Sequence, residues 1–435
     1  MRVIAVAICI LSSVSLAQGE EDWPNWRGPH FNGTASATDL PTTWSRTENI
    51  AWVADLPGVS AATPIVVGDH VYVSSCDLDR NVLMALCFDR HTGTKRWSRD
   101  ISEGVRRDTR STFAAPSPVS DGEVVVFFYG NGELVAFDVD GELMWRRNVV
   151  KDYGEFAFYW TFSTSPVLFD GKLILQVLQR DVAVEGRGTP NGNMSYLLAL
   201  DPKTGNEIWK QARASQARAE SRESFATPMP YVSQGRKQLL VIGGDDLTAH
   251  DAATGEELWR WGTWNPQRIT HWRHVPSPVI GEDVILVCAP KREPIYAIRD
   301  GGIGTRGDDA IAWTSEDRPA VSSDVPTPAF YDGDFFVLSD VRKSLSRVDP
   351  TTGEVIWQVK TPGRDKFEAS PTVADDKVYI VNFIGDVVVL DAKTGELINN
   401  VSMDDPSENS IRSSVIVAGK QLLIRTNRKL YCIGT

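Results

Sequence analysis

The side chains best suited to chemistry lie just before a series of Ser/Thr-Pro steps that recurs along the chain. Arginine and tryptophan are prominent among them. Guanidinium groups bind carboxylates through two parallel hydrogen bonds, and aromatic faces cover flat ring systems. If the fold brings these side chains together, they predict a site for a flat anionic ligand. The candidate binding residues are Arg110, Trp160, Glu223, Trp272, Arg273, His274, Asp324 and Arg412.

A second interpretation of the same residues needs no ligand. Polar loop side chains that crowd around one axis can pair with each other, and pockets follow only loosely from composition. Metal binding is not predicted. His271 and His274 form an H-x-x-H, but residues three apart on a strand face opposite sides. Paired catalytic carboxylates do not stand out either, because the recurring aspartates have a turn-forming role.

The segment from Gly302 to Gly307 matches the G-x-G-x-x-G pattern of dinucleotide-binding loops. Such a loop must lead into a helix whose N-terminus binds phosphate. The residues that follow, Asp308 to Trp313, have the character of a strand instead. The segment therefore predicts a flexible insertion and not a phosphate site.

The elements that position the candidate residues come from a repeat, D-x-x-T-G-x-x-x-W, which places a tight turn before a tryptophan-bearing strand. Each copy follows an alternating β segment that a Ser/Thr-Pro step opens. One such unit is a small antiparallel sheet that cannot bury both faces, so the copies must stack radially. Full copies begin at Asp89, Asp201, Asp251 and Asp349, and a copy at Asp391 has Asn399 in the tryptophan position.

The number of units predicts an all-β fold with eight blades. Tryptophans recur at positions 52, 97, 145, 209, 259, 313 and 357, a spacing that suits four short strands with their loops. The last unit ends after three strands, and the strand around Trp52 has no unit in front of it. Pairing that strand with residues 429–433 closes the ring and removes the free edges. The prediction is an eight-bladed β-propeller with tryptophan docking, closed by an N-terminal strand.

The first 48 residues do not fit the repeat. Arg2, the apolar run from Val3 to Val14 and the small residues ending at Ala17 predict a cleaved signal peptide over residues 1–17. Residues 18–48 form a predicted arm over one face, and residues 49–435 form the propeller. Later segments do not approach the length of a membrane span. We therefore expect a periplasmic or secreted protein.

The net charge argues against certain classes of partner, and the cysteine spacing argues against certain metal and cofactor sites. The formal net charge is -12, and the sequence shows no clustered basic run of the kind that nucleic acids or anionic membranes require. We expect a monomer. Four cysteines remain after the predicted cleavage, and their spacing matches neither a zinc site nor a haem attachment. We expect buried free thiols at Cys76, Cys87, Cys288 and Cys432.

The motif from Ala199 to Trp209 resembles the tryptophan-docking motif of dehydrogenases that depend on pyrroloquinoline quinone (PQQ). The resemblance covers about residues 50–435. The opening from Trp23 to Pro29 looks like the start of many exported bacterial PQQ-like repeat proteins. The same fold and motif occur in the propeller lipoprotein of the outer-membrane β-barrel assembly machine, which is a scaffold. The motif is thus specific for architecture, while function depends on the site that the fold carries.

The resemblance implies two main functions. We predict a non-catalytic binding or scaffold propeller, which holds a protein partner or a small ligand at the channel mouth and needs no cofactor. The alternative is an oxidoreductase that acts on alcohols or sugars with PQQ and calcium. Those dehydrogenases resemble one another in an adjacent pair of cysteines beside the quinone, which this chain lacks. A further alternative is a carbohydrate-binding propeller, in which Trp160 or Trp272 stacks on sugar rings.

Overall fold

The described residues fold into eight sheets of antiparallel strands. The structure is a computed structural model that describes residues 22–190, 192–403 and 410–434. The predicted signal peptide, residues 1–17, lies outside these residues. Inner strands of several neighbouring sheets contact one another, which arranges the sheets radially. This arrangement confirms the predicted eight-bladed β-propeller.

The blades are numbered here in chain order, and the strands of each are given from the axis outward. Blades 1 to 4 contain, in turn, Ile65–Val67, His70–Asp77, Val82–Asp89 and Lys95–Glu103; Val119–Ser120, Val125–Phe128, Glu133–Phe137 and Leu143–Asn148; Val167–Phe169, Lys172–Val177, Tyr196–Leu200 and Glu207–Ala212; and Met229–Ser233, Arg236–Gly243, Asp246–Asp251 and Glu257–Trp261.

Blades 5 to 8 continue the pattern. They contain Val279–Gly281, Val284–Cys288, Ile295–Arg299 and Ile311–Thr314; Ala329–Tyr331, Asp334–Ser339, Ser344–Val348 and Val355–Lys360; Thr372–Ala374, Lys377–Val381, Asp386–Asp391 and Leu397–Ser402; and Ile416–Ala418, Gln421–Arg425, Lys429–Ile433 and Ile50–Asp55. Helix in the described residues is limited to Val149–Tyr153 and the 3-10 turns Ala219–Arg222 and Asp308–Ala310. None of these helices is long and apolar enough to cross a membrane.

Blade 8 closes the ring by combining the two ends of the described chain. The strand Ile50–Asp55 pairs antiparallel with Lys429–Ile433, and Trp52 lies opposite Cys432. The remaining two strands of that sheet come from the C-terminal end of the chain. The predicted closure by an N-terminal strand is therefore confirmed.

The tryptophans join neighbouring blades through the turn glycines. The Trp52 ring lies over Gly93 of blade 1, and the Trp145 ring lies over Gly205 of blade 3, so a Cβ added to either glycine would lie within 2.7 Å of an indole carbon. Each indole also donates a hydrogen bond to the next blade, from Trp52 Nε1 to the Arg90 carbonyl at 2.7 Å and from Trp145 Nε1 to the Pro202 carbonyl at 2.8 Å. The interblade core is built around these contacts.

The glycine-rich segment near residue 304 is ordered, so the prediction of a flexible insertion was wrong. Gly304–Arg306 forms a fifth strand of blade 4 and runs parallel to Glu257–Trp261. The Arg306 guanidinium carbon lies 5.2 Å from the centre of the Trp259 ring. Trp259 of blade 4 is therefore covered by a stacked arginine, whereas tryptophans such as Trp52 and Trp145 are covered by a turn glycine of the next blade.

The hydroxyl groups that begin the blades form a nearly closed ring of seven hydrogen bonds around the axis. In each link the backbone N–H of one blade donates to the hydroxyl of the next, at 2.9–3.3 Å. The links run from Thr63 to Ser117, Ser165, Thr227, Ser277, Thr327 and Ser370, and from Ser414 back to Thr63. Because these groups are buried, each accepting hydroxyl satisfies a donor that water does not reach. The Ser414 hydroxyl has no partner among the described residues, so the series of links is open between Ser370 and Ser414.

Ser165→Ala is expected to lower the free energy of unfolding by about 1–2 kcal/mol, because the buried Ser117 N–H loses its acceptor. Ser165→Thr should keep wild-type stability, since threonine occupies the equivalent position in three other blades. Denaturant unfolding followed by tryptophan fluorescence measures both variants. Equal stability of the alanine variant and the wild type would show that this ring does not stabilise the fold.

The arm ties opposite sides of the propeller together. The Pro24 carbonyl accepts a hydrogen bond from the Ser120 N–H of blade 2 at 3.1 Å, and the Asn32 carbonyl accepts one from the Phe330 N–H of blade 6 at 3.2 Å. Between them, the fully buried Arg27 donates to the carbonyls of Pro328 in blade 6, at 2.8 Å, and Pro371 in blade 7, at 3.1 Å. The arm thus crosses the axis and links the first blades to the last ones.

Candidate functional site

The axial channel contains a pocket whose wall repeats with the blades. Eight wall residues each stand two positions before the Ser or Thr that begins a blade. In an extended chain, residues two positions apart point to the same side, so each wall residue faces the axis together with that Ser or Thr. The volume accessible to the centre of a water molecule is about 150 Å³. That volume holds roughly ten waters. The eight wall residues are Ala61, Ala115, Ser163, Phe225, Val275, Val325, Glu368 and Arg412.

Trp26 of the arm also lines the axial pocket. Behind it, the Arg27 guanidinium carbon lies 5.7 Å from the centre of the Trp26 ring. Burial lowers the pKa of Arg27 to about 9. Because the arm crosses the axis at the inner strands, Trp26 covers the pocket from the side of the arm, and the residues that precede the inner strands surround the opposite end, which we call the mouth. Sequence reasoning anticipated the arm but missed that Trp26 forms part of the site.

Three of the predicted residues form the rim of this mouth. The guanidinium carbon of Arg110 lies 5.5 Å from the centre of the Trp160 ring. Arg273 is only 8% exposed, and its nearest carboxylate contacts are Glu220 and Asp324, each at 3.8 Å. These distances exceed hydrogen-bond length. Among the described residues, neither guanidinium has a hydrogen-bond acceptor, although both side chains line the axial pocket.

Glu368 carries the one carboxylate on the described wall of the axial pocket, and it is surrounded by cations. Arg412 Nε donates to Glu368 Oε2 at 2.8 Å. Lys366 Nζ and Arg110 Nη1 lie 3.6 and 3.8 Å from Oε1. The pocket lining therefore holds three arginines and one glutamate, a local excess of two positive charges in a chain whose formal net charge is -12.

Glu223 and His274 lie off this wall, although the sequence placed them at the mouth. Glu223 is fully buried, accepts hydrogen bonds from Arg180 and the Tyr159 N–H, and has its pKa raised to about 7 by burial. His274 packs against Trp264, and burial lowers its pKa to about 3. A parallel bridge between Ser224 and His274 joins these two segments, so both side chains are enclosed between blades.

Trp272 and Asp324 are also absent from the pocket lining. Trp272 is half-buried against the core of blades 4 and 5. Asp324 stands three positions before its Ser/Thr step, so its carboxylate faces away from the axis and accepts a hydrogen bond from the Lys291 N–H at 2.6 Å. Of the eight candidates, the structure brings together Arg110, Trp160, Arg273 and Arg412.

Asp340 is a buried carboxylate behind the mouth that sequence reasoning missed. Its Oδ1 accepts a hydrogen bond from the Asp324 N–H at 3.0 Å, and burial raises its pKa to about 6. A raised carboxyl pKa means that the folded state binds the proton more tightly than the unfolded state. The contribution of Asp340 to stability is therefore greatest below about pH 4 and is lost as the pH rises through about 6.

Asp340→Asn should raise the free energy of unfolding at pH 8 by roughly 1–3 kcal/mol, because the amide keeps the acceptor oxygen without the buried charge. At pH 4 the gain should largely disappear. Asp317→Asn, at a carboxylate that is 80% exposed, serves as the control. Urea unfolding at both pH values measures the difference. A variant less stable than the wild type at pH 8 would contradict the prediction.

The residues present do not fit a calcium-bound quinone. Calcium takes six to eight oxygen ligands, several of them from carboxylates. The axial pocket offers Glu368 alone, already paired with Arg412, and no group of three His, Cys, Asp or Glu side chains in the described residues is arranged to hold a metal. The four described cysteines are buried free thiols that lie apart in the sequence.

Comparison with known proteins agrees with this architecture. The profile of the family described as outer membrane protein assembly factor BamB matches residues 34–185 and 193–434. The chain belongs to this family. The BamB family profile thus covers all eight blades, and its match begins within the arm.

Individual relatives of this BamB-family chain include assembly factors and a dehydrogenase subunit. BamB of Bordetella pertussis is 20% identical over 92% of the chain and 88% of its own length. BamB of Yersinia pestis is 22% identical over 54% of the chain, and a quinone-dependent alcohol dehydrogenase subunit of Acetobacter aceti is 25% identical over 50%. The chain spans 58% and 33% of the length of these last two proteins.

Solved structures show the same fold. A europium-containing methanol dehydrogenase superposes with a TM-score of 0.67 at 12% identity, covering 96% of this chain and 98% of its own. BamB of Moraxella catarrhalis gives a TM-score of 0.56 at 14% identity, covering 88% and 98%. At these identities the likeness concerns the propeller alone, so function has to be argued from the site.

Proposed function

We propose that this BamB-family chain is an exported, non-catalytic binding propeller that holds a partner or ligand at the mouth of its axial channel. The observation that carries the proposal is the state of the charged groups there. Arg110 and Arg273 face the axial pocket without a hydrogen-bond acceptor among the described residues, whereas Glu368 is neutralised by Arg412. Guanidinium groups whose nearest carboxylates lie beyond hydrogen-bond distance keep donors for the binding of an anion.

The dehydrogenase alternative finds less support in these residues. A general base must present an accessible lone pair within hydrogen-bond reach of the substrate. Glu368 is the carboxylate on the described pocket wall, and Arg412, Arg110 and Lys366 surround it. The carbohydrate alternative needs a bare aromatic face, but Arg110 covers Trp160 and Trp272 packs into the core. Export rests on the signal-like residues 1–17.

The enzymatic alternative is tested by incubating the purified protein with PQQ and calcium chloride. We expect no bound quinone chromophore and no dye-linked oxidation of ethanol or glucose. Turnover that depends on added PQQ would overturn the non-catalytic part of the proposal.

The binding role is tested by cross-linking in the host that exports the chain. The double variant Arg110→Ala/Arg273→Ala should lose a cross-linked adduct that the wild type forms. The variant Arg96→Ala/Arg236→Ala removes the same charge from partly exposed positions that do not line the axial pocket, and it should keep the adduct. Adducts that are identical in all three proteins would show that the mouth is not the binding surface.

A further inference from the structure

An insertion in blade 3 builds an apolar rim beside the axial pocket. It follows the second strand of the blade, from about Arg180 to Gly192, and the repeat does not account for it. At its two ends, the Asn193 N–H donates to the Asp181 carbonyl at 3.0 Å, and Gln179 Nε2 donates to the Met194 carbonyl at 2.9 Å. These two hydrogen bonds hold the chain segments that carry Val182 and Met194 side by side.

This insertion is attached to the mouth through Tyr159. The Arg180 guanidinium carbon lies 5.8 Å from the centre of the Tyr159 ring, and Arg187 donates to the Tyr159 carbonyl at 2.8 Å. The Tyr159 ring in turn packs nearly perpendicular to the Trp160 ring, with ring centres 4.9 Å apart. Trp160 lines the axial pocket. An apolar surface thus adjoins the cationic pocket directly.

The exposure of these side chains is unusual for their type. Tyr159 is 37% exposed, Val182 59% and Met194 49%. Single exposed apolar residues need no explanation, but several of them beside arginines that lack a hydrogen-bond acceptor match the composition of an interaction surface. Arginine, tyrosine and tryptophan are the residues that most often contribute binding energy at protein interfaces. We call Tyr159, Val182 and Met194 the blade 3 rim.

We propose that the mouth recognises a peptide segment in which an acidic side chain is flanked by apolar residues. The carboxylate enters the axial pocket between Arg110 and Arg273, and a neighbouring apolar side chain packs on the blade 3 rim. The inference rests on the proposed binding function and specifies its ligand class. A free small carboxylate would fill the pocket but leave the rim exposed, so the combination of the two surfaces favours a polypeptide.

The volume of the pocket is consistent with one side chain. A space for roughly ten waters accepts an aspartate or glutamate side chain, whereas pockets for complete drug-sized ligands are about 300–1,000 Å³. Arg273 supplies the strongest contact in this arrangement, because its side chain is 9% exposed and a hydrogen bond to a charged partner gains strength in a desolvated site.

The probe is a capped peptide, Ala-Leu-Glu-Leu-Ala, titrated calorimetrically into the full chain. We expect it to bind the wild type roughly ten- to a hundredfold more tightly than the same peptide with glutamine in place of glutamate. In Arg273→Gln that preference should fall to about one. The exposed Arg236→Gln is the matched control and should keep the preference.

The rim is tested with a second peptide in which serine replaces both leucines. The wild type should bind it roughly three- to tenfold more weakly than the leucine peptide, and Val182→Ser/Met194→Ser should abolish that difference. Both changes lie at exposed positions, and thermal unfolding confirms that the variants fold.

Three outcomes would overturn the inference. One is equal affinity for the glutamate and glutamine peptides, and another is no binding of either peptide at millimolar concentration. The third is glutarate binding as tightly as the leucine peptide in an Arg273-dependent manner. That last result would leave a small-ligand binding function in place while removing the peptide, so the two proposals fail separately.

Discussion

Trp52→Ala is expected to lower the free energy of unfolding by about 3–5 kcal/mol, the usual range for removing a buried tryptophan. The Trp52 side chain is 7% exposed, packs on Gly93 and donates to the Arg90 carbonyl at 2.7 Å. It lies on the N-terminal strand of blade 8, which pairs with the C-terminal strand Lys429–Ile433. Its loss therefore leaves a cavity and an unpaired carbonyl between blade 8, which closes the ring, and blade 1.

Val53→Ala is the control on the same strand. Val53 pairs with Tyr431 in the same ladder but is 43% exposed, so we expect a change within about 0.5 kcal/mol. Guanidinium unfolding measures both variants. If Trp52→Ala and Val53→Ala were equally stable, the docking of Trp52 would not be what holds the ring shut.

Gly205→Ala should cost about 2–5 kcal/mol, because two separate penalties act at one position. The backbone of Gly205 has a φ of 71°, which L side chains rarely adopt. A Cβ there would also lie 2.7 Å from carbons of the Trp145 ring, which stacks on the glycine. The methyl group can be accommodated only if the indole moves out of its site between blades 2 and 3.

Gly171→Ala separates the two penalties. Gly171 has a nearly identical φ of 68°, but a Cβ there meets no atom within 4 Å. We expect it to cost only the backbone strain of about 1–2 kcal/mol. Thermal or denaturant unfolding of both variants gives the difference, which reports the stacking alone. Equal losses in the two variants would mean that the contact between Gly205 and Trp145 contributes nothing.

The fold could be predicted because the spacing of the repeat corresponds directly to the size and number of the blades. The spacing of tryptophans gives the blade length, and the unpaired strand around Trp52 gives the closure. What escaped prediction was the order of the segment at Gly304–Arg306. Its glycines suggest flexibility, and only the structure shows a parallel partner strand and the Trp259 ring beneath Arg306.

Part of the candidate site could be predicted from the alternation of side chains along an extended strand. Counting back two residues from each Ser/Thr start gives the eight side chains of the pocket wall, Glu368 and Arg412 among them. Farther back the rule holds only in part. Arg273, four positions before Ser277, lines the axial pocket and His274, three before it, does not, but Glu223, four positions before Thr227, is enclosed between blades. Trp26 comes from outside the repeat, where no spacing predicts its place.

The crossing of the arm over the axis has a consequence for how the molecule assembles. Arg27 donates to carbonyls 301 and 344 residues farther along the chain. Contacts this distant form slowly, because the entropy of closing the loop opposes them until most of the structure exists. During synthesis, the strand Ile50–Asp55 must likewise remain unpaired until its partner Lys429–Ile433 has been made. We expect pulsed hydrogen exchange to show amides of Ile50–Asp55 gaining protection after those of blades 2 to 5; earlier protection would exclude this order.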